Sequence, residues 1–136
     1  FAHSPSKLRA TIAAVKKQFP EKKLIACMEL HTFSSLNKDF LKEYHHAMDE
    51  ADTAVVYFNS HTLEHKKLPP ILPSQIYDAF ARTDMQVFDS SQLLKSYLLE
   101  IQPQSTVILL MSSGTFGGLN LQEIADQILK EKSIAT

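Results

Sequence analysis

At 136 residues, 44% hydrophobic and 21% charged, the chain has the size and composition of one globular domain with a buried core. A formal net charge of -1 leaves no basic excess to argue for nucleic acid or an anionic membrane surface. Cys27 is the only cysteine, which excludes an internal disulfide; no apolar run reaches the roughly 18 residues of a membrane span, no signal peptide is read ahead of the first helix, and a cytoplasmic location is expected.

Phe1-Ala2-His3-Ser4-Pro5 runs directly into a helix, with Ser4 as N-cap and Pro5 at the first helical position. Such an abrupt start suggests one domain of a longer protein. Leu8, Ile12, Val15 and Phe19 form the apolar stripe of this helix, and Lys7, Arg9, Lys16 and Lys17 face water. His3 stands where helix amides gather, a place suited to an anion; local packing or capping is the alternative.

After the turn at Pro20, Leu24 to Met28 is a continuous apolar run, expected as a strand buried on both faces. Phe40, Leu41, Tyr44, Ala47, Met48 and Ala51 then repeat with helical spacing, which predicts a helix begun near Ser35 or Asn37. Thr53 to Phe58 is a second buried strand. Pro69, Pro70 and Pro73 forbid a long helix between Asn59 and Pro73, so an exposed connection is expected there. A short helix at Ser74 to Ala81, a strand at Met85 to Phe88 and a helix capped by Ser90 or Ser91 follow. Thr106 to Met111 is a fourth, aliphatic strand. The last helix begins at Asn120, with Glu123 three residues on, and is expected to bury Leu121, Ile124, Ala125, Ile128 and Leu129 before a frayed tail over 130–136.

Strands alternating with helices predict an α/β fold: a mainly parallel, twisted, Rossmann-like sheet with helices on both faces. Ligands of such sheets bind beyond the carboxyl ends of the strands. Two segments qualify, Glu29 to Ser35 after the first strand and Ser112 to Gly118 after the fourth. The second holds all three glycines of the chain, Gly114, Gly117 and Gly118. Their backbone freedom lets amides converge on a phosphate or carboxylate, or simply permits a tight strand-to-helix turn. No Lys-Ser or Lys-Thr follows the glycines, so this is no Walker A loop, and the spacing is not that of a dinucleotide fingerprint.

Other candidates are weaker. His61 and His65 are four apart, but their lysine- and proline-rich surroundings favour an exposed loop over a metal site, and no metal ligand set is assigned. Adjacent His45 and His46 would diverge on a helix. Glu29 and Asp89 stand at strand ends as possible acids or bases with nothing to fix their geometry. Cys27, inside an apolar strand, is expected to be inert.

The opening Phe1-Ala2-His3-Ser4-Pro5 resembles the Asp-(Tyr/Phe)-(Ala/Gly)-His-x-Pro segment that begins the C-terminal domain of Mur ligases, the ATP-dependent amide-forming enzymes of peptidoglycan synthesis and recycling. The resemblance continues through Met28-Glu29-Leu30-His31-Thr32-Phe33-Ser34-Ser35 and ends with Leu110-Met111-Ser112-Ser113-Gly114-Thr115-Phe116-Gly117-Gly118, so it spans nearly the whole chain. The last segment is similar to the Met-Ser-Asn-Gly-Gly-Phe-Gly-Gly stretch of the recycling member, which joins UDP-N-acetylmuramate to L-alanyl-γ-D-glutamyl-meso-diaminopimelate. In the L-alanine-adding member the first loop is similar to Gln-Pro-His-Arg-Tyr-Thr-Arg. This chain matches that His at His31 but has Thr32 and Ser35 in place of the arginines, losing their bidentate anion contacts, although the recycling pattern often has Arg where His31 stands.

The resemblance implies that residues 1–136 are the amine-presenting C-terminal domain of a three-domain ligase whose other domains hold the UDP-sugar and ATP with magnesium. It implies an acyl phosphate on the lactyl carboxylate of UDP-N-acetylmuramate, attacked by the tripeptide amine. By motif position, His3 and Ser4 would lie near the nucleotide and reaction centre, with His3 the catalytic candidate. His31, Ser34 and Ser35 would contact the incoming peptide or the phosphoryl region, and Ser113, Gly114, Thr115, Phe116, Gly117 and Gly118 would offer amides to peptide carboxylates. The acidic residue expected on the ATP ribose would precede Phe1. Without its partner domains the chain is expected to be inactive and to bind neither ATP nor Mg2+ appreciably. The L-alanine ligase and a non-catalytic anion- or partner-binding module are the alternatives; no nucleic-acid or membrane partner is expected.

Overall fold

The computed structural model describes residues 4–31, 38–112 and 115–134, except the side chains of 38 and 130–134. The helix α1 (Pro5–Gln18) starts as expected: the Ser4 hydroxyl accepts from the Lys7 amide at 3.4 Å, and Pro5 occupies the first turn, where its missing N–H costs nothing. Its stripe buries Leu8 and Ile12 completely.

Among the described residues four parallel strands form one sheet in the order β3-β2-β1-β4. They are β1 (Lys23–Leu30), β2 (Thr53–Phe58), β3 (Gln86–Phe88) and β4 (Thr106–Met111). The central strand β1 is buried along seven of its eight residues, because it is paired on both edges and covered on both faces. Along it, Leu24, Ala26, Met28 and Leu30 face one core with Leu8, Ile12, Tyr44 and Phe80, while Ile25 and Cys27 face a second with Leu94, Leu98, Ile124 and Ile128. This period-two alternation makes the three-layer α/β sandwich expected from the sequence. Burial pushes the Cys27 thiol up to about 12, so it stays protonated at neutral pH. In β4 most residues are only half-buried, since it is an edge strand of the described sheet.

Several local expectations are corrected. Among the described residues the helix predicted through Ala51 is α2 (Lys38–Leu41) and a 3-10 turn over Lys42–Tyr44; its expected start near Ser35 or Asn37 lies outside them. The helix stops because His46 takes a positive φ of 61° and gives its amide to the Phe80 carbonyl. The apolar stripe is nonetheless real: Leu41, Tyr44, Ala47, Met48 and Ala51 are all buried. His45 and His46 therefore do not diverge on a helix; their rings meet edge to face at 4.1 Å.

The connection after β2 contains a short helix, α3 (Ser60–His65), capped by Asn59, and it is pinned to the core by Leu63 and Ile71 rather than lying exposed throughout. Next come α4 (Pro73–Phe80) and α5 (Ser91–Leu99), the latter capped by Ser90. The final α6 (Leu121–Ile134) starts with the Asn120 side chain accepting from the Glu123 amide at 3.0 Å and runs into the segment expected as a tail. Ile124 and Ile128 are buried one turn apart, but Ala125 is exposed and Leu129 is 57% exposed; each is turned about 100° from the buried stripe. Among the described residues no helix is long and apolar enough to cross a membrane.

One surface carboxylate ties sheet to helix. Asp52 accepts from the Lys16 ammonium at 2.6 Å and the Leu24 amide at 2.7 Å, and these contacts hold its carboxyl below its ordinary value. A depressed folded value means that the stabilisation is present above the ordinary carboxylate range and is lost as pH falls through the folded value. Because Asp52 is 41% exposed, the effect is screened. Asp52→Asn should lower stability at neutral pH by under about 1 kcal/mol, and the stabilities of the two proteins should converge in acid, as pH falls through the depressed folded value of Asp52.

Candidate functional site

The strand order places a topological switch at β1 and β4: the chain steps from β1 outward through β2 and β3, then returns to the opposite side. The general rule for parallel sheets puts the ligand crevice at such a switch, beyond the carboxyl ends of β1 and β4. The segments after those ends are the two the sequence selects.

Between them lies a buried charge. Glu29 belongs to β1 rather than to the following loop, and it is only 3% exposed. Its Oε1 accepts from the Phe116 backbone amide at 2.8 Å and from the Ser112 hydroxyl at 2.5 Å. The other oxygen, Oε2, lies 3.6 Å from His31 Nδ1. One side chain thus links both loops. Burying a carboxylate is expensive unless donors satisfy it, and here the loop after β4 supplies two.

The loop itself turns left-handed. Phe116, Gly117 and Gly118 have φ values of 52°, 69° and 83°, so even a bulky residue is held in a conformation that normally favours glycine. Phe116 is held there by packing: its ring is 2% exposed and stacks on Tyr57, whose residue pairs with Glu29 across β1 and β2. A Cβ on Gly117 would come within 2.4 Å of the Tyr57 hydroxyl and 2.9 Å of Ser91 Cβ. Tyr57 also accepts from the Asn59 amide at 3.3 Å. Burial first, then the charges of Glu29 and Asp89, push its phenol up, so it remains protonated.

The expected site residues are therefore placed unevenly. His31 stands 40% exposed at the end of β1, beside Glu29, and Phe116 to Gly118 line the adjoining loop. The Phe116 amide is already committed to Glu29, and the Gly118 amide to Thr115 through its carbonyl and hydroxyl, both at 3.1 Å. Those two amides serve the loop instead of standing open to a ligand carboxylate. Ser4 is engaged as a helix cap. His3, Ser34, Ser35, Ser113 and Gly114 lie outside the described residues.

Sequence reasoning left Glu29 without fixed geometry and did not single out Tyr57, Asn59 or Ser112 for the site. The available signal was a carboxylate on the same strand face as Ile25 and Cys27, where only apolar residues belong. Among the described residues no group of three His, Cys, Asp or Glu side chains is placed to hold a metal, and His61 is 92% exposed.

No protein-family model matches the chain. Its sequence is similar to the UDP-N-acetylmuramate–L-alanine ligase of Agathobacter rectalis, 26% identical over 133 residues, which is 96% of this chain and 27% of that protein. The corresponding ligase of Lactobacillus helveticus is 39% identical over 56 residues, 41% of this chain and 13% of that protein. In structure the chain is similar to a murein peptide ligase of Psychrobacter arcticus, with a TM-score of 0.69 and 21% identity over 94% of this chain and 26% of that one. The chain spans about a quarter or less of the length of these proteins. Along nearly its whole length the chain is similar in sequence to part of a Mur ligase, and its fold is the Rossmann-like α/β fold of the C-terminal domain of such ligases.

Proposed function

We propose that this chain is the amine-presenting domain of a three-domain, ATP-dependent ligase that joins UDP-N-acetylmuramate to L-alanyl-γ-D-glutamyl-meso-diaminopimelate in peptidoglycan recycling. The observation that carries this reading is the left-handed glycine loop tied through Glu29 to His31 at the switch between β1 and β4. An acyl phosphate is easily lost to water. A domain that closes over it as a lid would exclude water and align the amine.

The tripeptide is favoured by the sequence of the glycine loop and by Thr32 and Ser35 in place of arginines. A reading as an L-alanine ligase is favoured instead by the sequence relatives, which carry that name. ATP supplies the phosphoryl group that activates the carboxylate. The described residues offer neither a Walker A loop nor an acidic cluster for its magnesium, so both would be held by the other domains. This domain's residues would bind and orient the amine, and the 136-residue chain alone should form no amide.

Competition between amines in the full-length protein tests the reading. The tripeptide should be used at least about tenfold better than free L-alanine in kcat/KM, because a site that contacts the longer peptide loses those contacts with the short one. The reverse preference would establish the alanine ligase, and ligation by the isolated chain would overturn its role as an incomplete part.

A further inference from the structure

We infer that Glu29 and His31 act as a pair in which the buried carboxylate orients the imidazole through Nδ1 and leaves Nε2 to take a proton from the incoming ammonium group. The inference deepens the ligase reading and rests on it for the identity of the proton donor.

Glu29 is suited to orient and unsuited to be the base itself. Its carboxylate is 3% exposed, and Oε1 is occupied by the Phe116 amide and Ser112 hydroxyl. Two donors on one oxygen fix the carboxylate plane and leave Oε2 directed at His31. His31 is the exposed member, at 40%, and its Nδ1 is the nearer nitrogen at 3.6 Å. Among the described residues Nε2 has no recorded partner. The separation is within ion-pair range and slightly beyond a hydrogen bond; such pairs tighten when substrate closes a site. A carboxylate on Nδ1–H selects the tautomer whose Nε2 carries the lone pair.

The second titratable neighbour, Tyr57, cannot substitute. Its hydroxyl is enclosed by Asn59 and Ser91 beneath Gly117, and its residue is 1% exposed.

In the step assigned here, the ammonium nitrogen gives one proton to His31 Nε2, and the freed lone pair attacks the acyl carbon. The C–N bond forms as the bond from that carbon to the phosphate oxygen breaks. The second nitrogen proton leaves with the phosphate, so the products are the amide, hydrogen phosphate and an imidazolium paired with Glu29. His31 is the catalytic residue and Glu29 the positioning residue.

Nitrogen-15 NMR of the histidine rings, with His31→Gln for assignment, tests the pair without any reaction. At mildly alkaline pH the neutral His31 ring should be the Nδ1–H tautomer, and Glu29→Gln should shift it to Nε2–H. Gln keeps an oxygen acceptor for Phe116 and Ser112, and its urea midpoint checks that the fold is intact. A ring already in the Nε2–H form, or unchanged by the substitution, overturns the pair. In the full-length ligase Glu29→Gln should lower kcat about 10- to 100-fold with little change in KM for the amine. His31→Gln should do at least as much, and the double variant should lose little more. Independent, multiplying losses would overturn the shared role. A wild-type protein with no ligase activity would sink the ligase reading, while the tautomer comparison would still decide whether Glu29 orients His31.

Discussion

Gly117→Ala is expected to destabilise the chain by about 2–4 kcal/mol, whereas Gly118→Ala should cost only about 1 kcal/mol. Both residues have positive φ, so both variants bear the left-handed penalty that a Cβ imposes. Space separates them. The new methyl at Gly117 would stand 2.4 Å from the Tyr57 hydroxyl and 2.9 Å from Ser91 Cβ, but at Gly118 it would meet nothing within 4 Å. Tyr57 cannot yield easily, for its ring is packed on Phe116 at the end of β2. Urea unfolding of both variants provides the measurement. Equal losses would show that backbone conformation, not the close approach of Tyr57, makes Gly117 necessary. Because Phe116 is adjacent and gives its amide to Glu29, the proposed ligase function implies that Gly117→Ala should also impair activity of the full-length protein more than Gly118→Ala does.

Arg82→Ala should be comparably harmful, at about 2–4 kcal/mol, although Arg82 lies at the opposite end of the sheet's strands from the crevice. Its Nη1 donates to the carbonyls of Met48 and Ala51 at 2.6 and 2.8 Å, and its Nη2 to that of Asp52 at 3.0 Å. These carbonyls belong to the irregular turn that replaces a helix before β2, where the Met48 carbonyl also accepts from the Ala51 amide at 3.2 Å and the guanidinium gathers all three carbonyls at one point. Asp84 holds the guanidinium in turn, at 2.7 Å from Nε, and the side chain is 14% exposed. Arg82→Lys keeps the charge but not the planar fork, and should lose roughly half as much. A lysine variant as stable as wild type would show that charge alone suffices. The urea midpoint and slope together would separate loss of the contacts from a change in compactness.

The same turn explains the main failure of sequence reading. The spacing of Leu41, Tyr44, Ala47, Met48 and Ala51 identifies buried positions, and all five are buried. It does not identify the backbone, because a 3-10 turn followed by tight turns can direct the same side chains inward. The deciding contacts come from Phe80 and Arg82, more than thirty residues later. Where local signals agree, as in the capped starts of α1, α5 and α6, sequence and structure coincide. The crevice was legible as two loops, but Glu29 was not recognisable as their connection. Its partners Ser112 and Phe116 are 83 and 87 residues away along the chain.

Sequence alone determined the parallel α/β architecture, the buried β1 and β2, the helix caps and the two strand ends where a site is proposed. These follow from periodicity, β-branching, capping residues and glycine placement, all properties of neighbouring residues. Tertiary structure decided what joins the two loops, why Gly117 and not Gly118 must lack a side chain, and which histidine stands beside a buried carboxylate. Each depends on strand order, which brings β4 next to β1 and sets Glu29 among donors from the far end of the chain.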